Sequence, residues 1–428
     1  MNRTITIAEY DRIHINDVLQ GIKITQKDIL ELRNFIDESN GEISSLSEYL
    51  KPIRNGVQAN NYVGVLQTKS GLTIEILPKI SRTHQNHVEV KKLFIRMLRT
   101  VKQINGKSFD MSHLSEHKNN VLELFISMFI SEVDRILKRG LKSDYITTRS
   151  NETFLKGKLL LQQQIQHNSV NKAKFYTEFD EFEVDGAENQ IIKTTLTYLL
   201  SLSHEAKNQR LIREQLLCFE NVNVTYNPPV TFQRISKKRQ FSYYERAIKW
   251  AEIFLKRKSF TSFKGSSLAF ALLFPMEAIF EAYIADKMKR AFPDFKVGTQ
   301  EQQYFLFDGH GGSKSSYRLR PDIIIRSNHE SGNVVIVDTK WKLLKADGPS
   351  QSDLYQMYAY FTRYRHHSET VVKVILLYPK SDHYGERVFK SFNFSDNQSD
   401  LEAKIEVKYI DLFSNNIESQ LQNIVADF

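Results

Sequence analysis

Cysteine is almost absent from this chain. Cys218 is the only one in 428 residues. A disulfide within the chain is excluded, and a structural zinc site would lack thiolates. The chain suits a reducing cytosol. Long apolar runs are also missing. Val374-Ile375-Leu376-Leu377 is among the longest and is of strand length, far short of the roughly 20 residues that span a bilayer. The first residues, Met1-Asn2-Arg3-Thr4-Ile5-Thr6-Ile7, alternate polar and apolar and lack the apolar core of a signal peptide. A cytoplasmic location without a membrane partner is expected. No internal repeat, heptad array or low-complexity tract is visible. A complete nucleotide site is missing too. Asn105-Gly106-Lys107-Ser108 has the letters that end a phosphate-binding loop, but Val101 stands where its first glycine belongs and no clear helix begins at Ser108. Gly309-His310-Gly311-Gly312 lacks a dinucleotide fingerprint, and His366-His367 lacks partner ligands at metal spacing.

What is present is size and a modest positive charge. At 428 residues two or three domains are expected. Lys and Arg exceed Asp and Glu by 59 to 50, a net charge of +9. That bias suits a polyanionic partner. Arg234, Lys237, Lys238 and Arg239, then Lys256, Arg257 and Lys258, have Phe241, Tyr243 and Tyr244 between them. Such a stretch either tracks a DNA backbone or is a solvated linker face.

Three regions follow from the patterning. Residues 1–110 mix strands and helices. Thr25 to Ile36 has helical spacing, while Tyr62–Thr68 and Leu72–Leu77 flank Lys69-Ser70-Gly71 as a hairpin. Residues 111–265 are largely helical, with a buried helix at Val121–Leu137 and another at Asn189–Leu202. Strands are expected there at Phe154–Leu159 and Lys174–Phe179. Residues 266–428 alternate helix, strand, hairpin, helix and strand. Their pattern predicts an α/β core with a mixed sheet, in which Val371–Tyr378 is central and helices cover both faces. The whole chain is mixed α+β.

The chemistry lies in two β-branched runs. Arg320-Pro321-Asp322-Ile323-Ile324-Ile325 is followed by Val334-Val335-Ile336-Val337-Asp338-Thr339-Lys340, with the polar turn Ser327–Asn333 between. The pair reads as a buried hairpin with an acid at the edge of each strand. Residues two apart share a strand face, so Asp338 and Lys340 point together. Two close carboxylates repel unless a divalent cation sits between them, and hard oxygens with room for water and phosphate suit Mg²⁺, with Mn²⁺ an alternative. A neighbouring lysine then orients or activates an attacking water. Downstream, Gln356 and Tyr360 are four apart and share a helix face. Upstream, Glu277 and Glu281 are also four apart, on a helix that Pro275 fits in its first turn.

Pro321-Asp322, Asp338 and Lys340 resemble the PD-(D/E)xK nuclease motif, and Gln356 with Tyr360 resembles the Q-x-x-x-Y element of several nucleases in that superfamily. Further runs extend the likeness. Asn61–Val65 and Ile74–Ile80 resemble the N-terminal hairpin of the McrC family, the nuclease subunit of McrBC-type modification-dependent restriction systems. Leu155-Lys156-Gly157-Lys158-Leu159 resembles its central arginine-glycine strand, with lysine in place of arginine. Phe179–Asp185, Glu188–Lys193 and Phe280-Glu281-Ala282-Tyr283 complete the order.

The resemblance implies a DNA endonuclease subunit that docks on a hexameric AAA+ GTPase. Its N-terminal part would enter the ring and stimulate GTP hydrolysis, and the DNA would carry modified cytosine. It also implies that Glu281, rather than Glu277, completes the metal site. Asp322, Asp338 and the Thr339 carbonyl would then hold Mg²⁺, Lys340 would position water, and Gln356 would orient Lys340. Two other readings stay open: a non-cleaving assembly or activator subunit of an AAA+ NTPase, and a stand-alone DNA-repair nuclease.

Overall fold

The computed structural model describes residues 3–37, 49–82, 87–100, 121–170, 172–235, 239–260, 268–309, 316–327, 333–344, 348–366, 370–380, 387–391 and 403–426. The phosphate-loop letters at 105–108, His310–Gly312, His367, Lys237 and Lys238 lie outside these residues, as do the side chains of Arg239, Phe241 and 256–258. Two compact units form. One comprises Met1–Asn2, Gln67–Gly71 and Gly106–Leu272; the other comprises Arg3–Leu66, Leu72–Asn105 and Leu273–Phe428. The regions 1–110 and 266–428, separate in the sequence reading, thus contribute to one unit.

In the first unit the apolar helix Val121–Arg139 is buried along most of its length, as its composition dictates. It packs with Ala206–Cys218 and Glu245–Phe260, and both Ala206–Cys218 and Glu245–Phe260 also touch Ala187–Leu202. A long antiparallel pair, Asp144–Glu152 with Phe175–Glu183, runs from Phe175 opposite Glu152 to Glu183 opposite Asp144. The strand expected at Phe154–Leu159 shrinks to Lys158–Leu159. Gly157 turns the chain there at φ +72°, and a Cβ on it would lie 2.5 Å from the Glu178 carbonyl oxygen. Asp144–Glu152 escaped notice because its polar, β-branched residues show no clean alternation. At the base of this pair, Lys142 Nζ lies 2.8 Å from Glu188. Asn189 donates to the Lys142 and Val184 carbonyls. The Tyr244 hydroxyl donates to Asn189 and accepts from the Lys142 N–H.

The hairpin Tyr62–Thr68/Leu72–Leu77 is present, with Tyr62–Leu66 and Leu72–Leu77 in the second unit, and Arg3–Ala8 pairs in parallel with its second strand. The helix Gln26–Asp37 starts with Asp28 and Thr25 capping each other's backbone N–H groups.

The larger sheet of this unit has six strands in the order Lys296–Thr299, Ile323–Arg326, Asn333–Thr339, Thr370–Pro379, Ala403–Ile410, Arg387–Ser391. The first two pairings are antiparallel, the next two parallel, the last antiparallel. This is the mixed sheet the sequence predicts, with Thr370–Pro379 inside it. The parallel step needs a crossover, and the helix Gln351–His366 supplies it. Met357, Tyr360, Phe361 and Tyr364 of that helix pack on Ile324, Ile336, Val374, Leu376 and Val407. The alternate residues Val335, Val337, Ile375 and Leu377 are equally buried and face away from that cluster. The helices Met276–Ala291 and Ile417–Val425 pack on each other and on the sheet. Pro275 is the N-cap of the first of these, one place earlier than expected.

Candidate active site

The register of the hairpin Ile323–Arg326/Asn333–Thr339 fixes where its acids stand. Ile323 pairs with Val337 in an antiparallel ladder. Asp322 immediately precedes Ile323 and Asp338 immediately follows Val337, so both acids stand at the same end of the hairpin, close enough for the Asp322 charge to act on Asp338. Asp322 Oδ2 accepts from the Thr339 backbone N–H at 2.7 Å and from the Thr339 hydroxyl at 2.8 Å. Asp338 Oδ2 lies 2.5 Å from Lys340 Nζ, as the shared strand face requires.

The helix Gln351–His366 holds this edge from one side. Lys340 Nζ donates to Gln356 Oε1 at 3.0 Å. Gln356 Nε2 donates to the Tyr360 hydroxyl at 2.7 Å, and that hydroxyl donates to the Arg320 carbonyl at 3.1 Å. The four-residue spacing therefore connects the lysine to the backbone just before Asp322. Asp353, one turn earlier, pairs with Lys342 at 3.0 Å.

Glu281 reaches the site from the helix Met276–Ala291. Its carboxylate accepts from Gln300 Nε2, and Gln300 Oε1 accepts from the Arg320 guanidinium. Gln300 has φ +48°, and its N–H donates to the Asp322 carbonyl at 2.9 Å. This relay was not foreseen. Glu277 is exposed, and its charge acts on Glu9 and Tyr10.

Charge at this edge is unbalanced. Burial, then the nearby Asp322, push Asp338 up to about 7 despite Lys340. Burial and Asp322 also push Glu281 up to about 7, with Gln300 opposing. Asp322 itself is raised by burial, against its Thr339 hydrogen bonds. Burial pulls the Lys340 ammonium down, but Asp338 and Asp322 together win and raise it. Among the described residues, no group of three or more His, Cys, Asp or Glu side chains is gathered as a metal cage. The pair Asp322/Asp338 is the donor set on offer, with Glu281 close enough for its charge to be felt.

The residue after Lys340 ties the site to the N-terminal strands. The buried Trp341 donates its indole N–H to Glu9 Oε2 at 2.9 Å, and its carbonyl accepts from Lys79 Nζ at 2.6 Å. The Lys79 N–H in turn donates to Glu9 Oε2 at 2.8 Å. Burial holds the Glu9 carboxyl above its ordinary range against the Lys79 charge.

This fold recurs in solved structures. A chain of the refined half-complex from the tetradecameric assembly of Thermococcus gammatolerans McrB AAA+ hexamers with bound McrC matches 99% of this chain and 100% of its own length, with a TM-score of 0.71 at 20% identity. A chain of the Thermococcus gammatolerans McrBC complex matches 68% of this chain and 88% of its own, with a TM-score of 0.52 at 22% identity. The Type IV methyl-directed restriction enzyme EcoKMcrBC of Escherichia coli (strain K12) is 21% identical over 286 residues, 62% of this chain and 78% of that protein. The model of the family described as McrBC 5-methylcytosine restriction system component matches residues 57–379. The chain belongs to this family and is a restriction-system component of the McrC type. Among the described residues, no helix is long and apolar enough to cross a membrane.

Proposed function

We propose that this chain is the DNA endonuclease subunit of a McrBC-like restriction complex. It hydrolyses phosphodiester bonds with Mg²⁺ while docked on an AAA+ GTPase of the McrB type, whose GTP hydrolysis it stimulates. The observation that carries this reading is the neighbouring acids Asp322 and Asp338 at one end of the hairpin, with Lys340 Nζ 2.5 Å from Asp338. Two neighbouring carboxyls, both raised by burial and Asp338 further by the Asp322 charge, fit a hard divalent cation, which would relieve them. Asp322, Asp338 and the Thr339 carbonyl would hold it, with Glu281 in support. When bound, the ion would neutralise charge building on the phosphoryl oxygens.

The chain's own groups do the rest. Lys340 donates to and orients the attacking water. Gln356 fixes the Lys340 ammonium, and Tyr360 fixes Gln356. The partner assignment draws on the family and on the likeness to a chain solved with McrB AAA+ hexamers. The substrate, double-stranded DNA with modified cytosine, draws on the family description.

The test is cleavage of cytosine-methylated plasmid by the chain, its AAA+ partner, GTP and Mg²⁺. Parent protein cuts and Asp338→Ala does not, while stimulation of the partner's GTPase survives in both. Substantial cutting by the Asp338→Ala complex rejects the assignment. A second reading, the non-cleaving activator, has one observation behind it: no three-acid cage is gathered among the described residues. GTPase stimulation by parent protein without any Mg²⁺-dependent cutting would establish it.

A further inference from the structure

A short ribbon leads into the acid pair. Phe305–Phe307 and Ser316–Arg318 run antiparallel, with Phe305 opposite Arg318 and Phe307 opposite Ser316. Its base is fixed. Leu306 and Tyr304 pack against the core beneath the Gln351–His366 helix. Arg363 of that helix donates to the Phe305 carbonyl at 2.8 Å and pairs with Asp308 at 2.6 Å. Strand alternation then sends Phe305 and Phe307 outward, beside Arg318 and Ser316.

Tyr317 breaks that alternation. It ought to turn inward beside Leu306. Instead its φ is +56°, a left-handed conformation that is costly for an aromatic residue. Its ring is 75% exposed and sits edge-on to the 57% exposed Phe307, centroids 6.0 Å apart. A strained backbone that holds two large rings in water contributes nothing to the core. Such strain gathers at working surfaces. Two cations continue the surface. The Arg318 guanidinium lies over the Phe305 ring at 4.9 Å. The exposed Arg320 is two residues from Asp322 and is already engaged with Gln300. Rings and guanidinium groups thus line the ribbon, and the chain runs from it through Arg320 to Asp322. Aromatic faces take bases, and guanidinium groups take phosphates.

We propose that this ribbon grips the substrate DNA, with Phe307 and Tyr317 against bases or sugars and Arg318 and Arg320 on the flanking phosphates. The identity of the polymer rests on the nuclease reading above. The test uses the full chain carrying Asp338→Asn to prevent cutting, and follows the fluorescence anisotropy of a labelled duplex with methylated cytosines. The Phe307→Ala/Tyr317→Ala double variant binds about tenfold or more weakly. Arg318→Ala shows a shallower dependence of affinity on salt. In the cleavage-competent chain with its AAA+ partner, the double variant raises KM and leaves kcat near the parent value.

Tyr317→Gly separates grip from architecture. Glycine accepts a φ of +56°, so this variant melts no lower than the parent while its DNA affinity falls. A lower melting temperature with unchanged affinity makes the tyrosine merely structural and overturns the proposal. Equal affinity of the double variant and its parent overturns it, as does absence of any DNA binding by the parent chain. Loss of GTPase stimulation with DNA affinity intact overturns it too, and would make the ribbon a protein contact. Failure of the nuclease reading looks different: the parent complex does not cut with Mg²⁺, whatever the ribbon variants bind.

Discussion

Two buried polar clusters in this molecule obey opposite rules. In one, Lys142 and Glu188 pair at 2.8 Å with side chains only 6% and 4% exposed, and Asn189 and Tyr244 meet the neighbouring backbone groups. The Lys142 cation faces the Glu188 anion, and Asn189 and Tyr244 hydrogen-bond to each other. In the other, Asp322, Asp338 and Glu281 share the charge of Lys340 and, at the edge, Arg320. The carboxyls are pushed upward because burial and mutual repulsion exceed what those cations return. The first cluster is finished by the chain alone. The second is left short of positive charge, as the cation site proposed above would require.

Four measurements break or sharpen this contrast. The largest effect is expected in the unbalanced cluster. Asp338→Asn should lower Mg²⁺-dependent cleavage by ~10³-fold or more, since charge stabilisation at the reacting phosphate carries most of the rate. A gel assay with the AAA+ partner present reads it. Second, Lys142→Met should cost about 3–5 kcal/mol in urea unfolding by removing the cation paired with the buried Glu188. Replacing Glu188 as well, with Leu, should recover much of that loss; no recovery would show that the pair is not self-contained.

Third, the metal-free chain should lose stability as pH rises. Asp338 and Glu281 keep protons to about pH 7 when folded, whereas unfolded carboxyls release theirs near about pH 4. The native state binds more protons between those limits, so stability falls through that window as pH increases. Thermal melts with chelator should show a lower Tm at about pH 7.5 than at about pH 5, a gap that Asp338→Asn narrows and Mg²⁺ offsets. An upward slope would contradict the charge imbalance. Smallest, Tyr360→Phe removes the hydroxyl between Gln356 and the Arg320 carbonyl. It should cost ~1 kcal/mol of stability and slow cleavage several-fold, whereas loss of cleavage as complete as in Asp338→Asn would give the tyrosine a direct role.

The parts legible in sequence are those with a local period. Asp338 and Lys340 share a strand face, and Gln356 and Tyr360 share a helix face; both pairs meet as spacing requires. The apolar run Val371–Tyr378 declared a strand buried within the sheet. What stayed hidden is long-range or conformational. Glu281 and Gln300 are 19 positions apart and Gln300 and Arg320 are 20 apart, and no pattern announces such a meeting. Glu9 and Trp341 are 332 positions apart. The left-handed backbone of Tyr317 has no counterpart in its residue type, because tyrosine seldom adopts it. The Phe154–Leu159 run looked like a strand, but Gly157 ends its pairing early.

The indole of Trp341 has a practical consequence. Its N–H and its carbonyl are both satisfied by residues from the opposite end of the polypeptide. A truncated protein beginning at the helix Met276–Ala291 would keep both hairpin acids and Lys340 in its sequence. It would lack Glu9 and Lys79, and would bare an apolar ring beside Lys340. The C-terminal part is therefore not a detachable cassette: its packing depends on strands laid down hundreds of residues earlier.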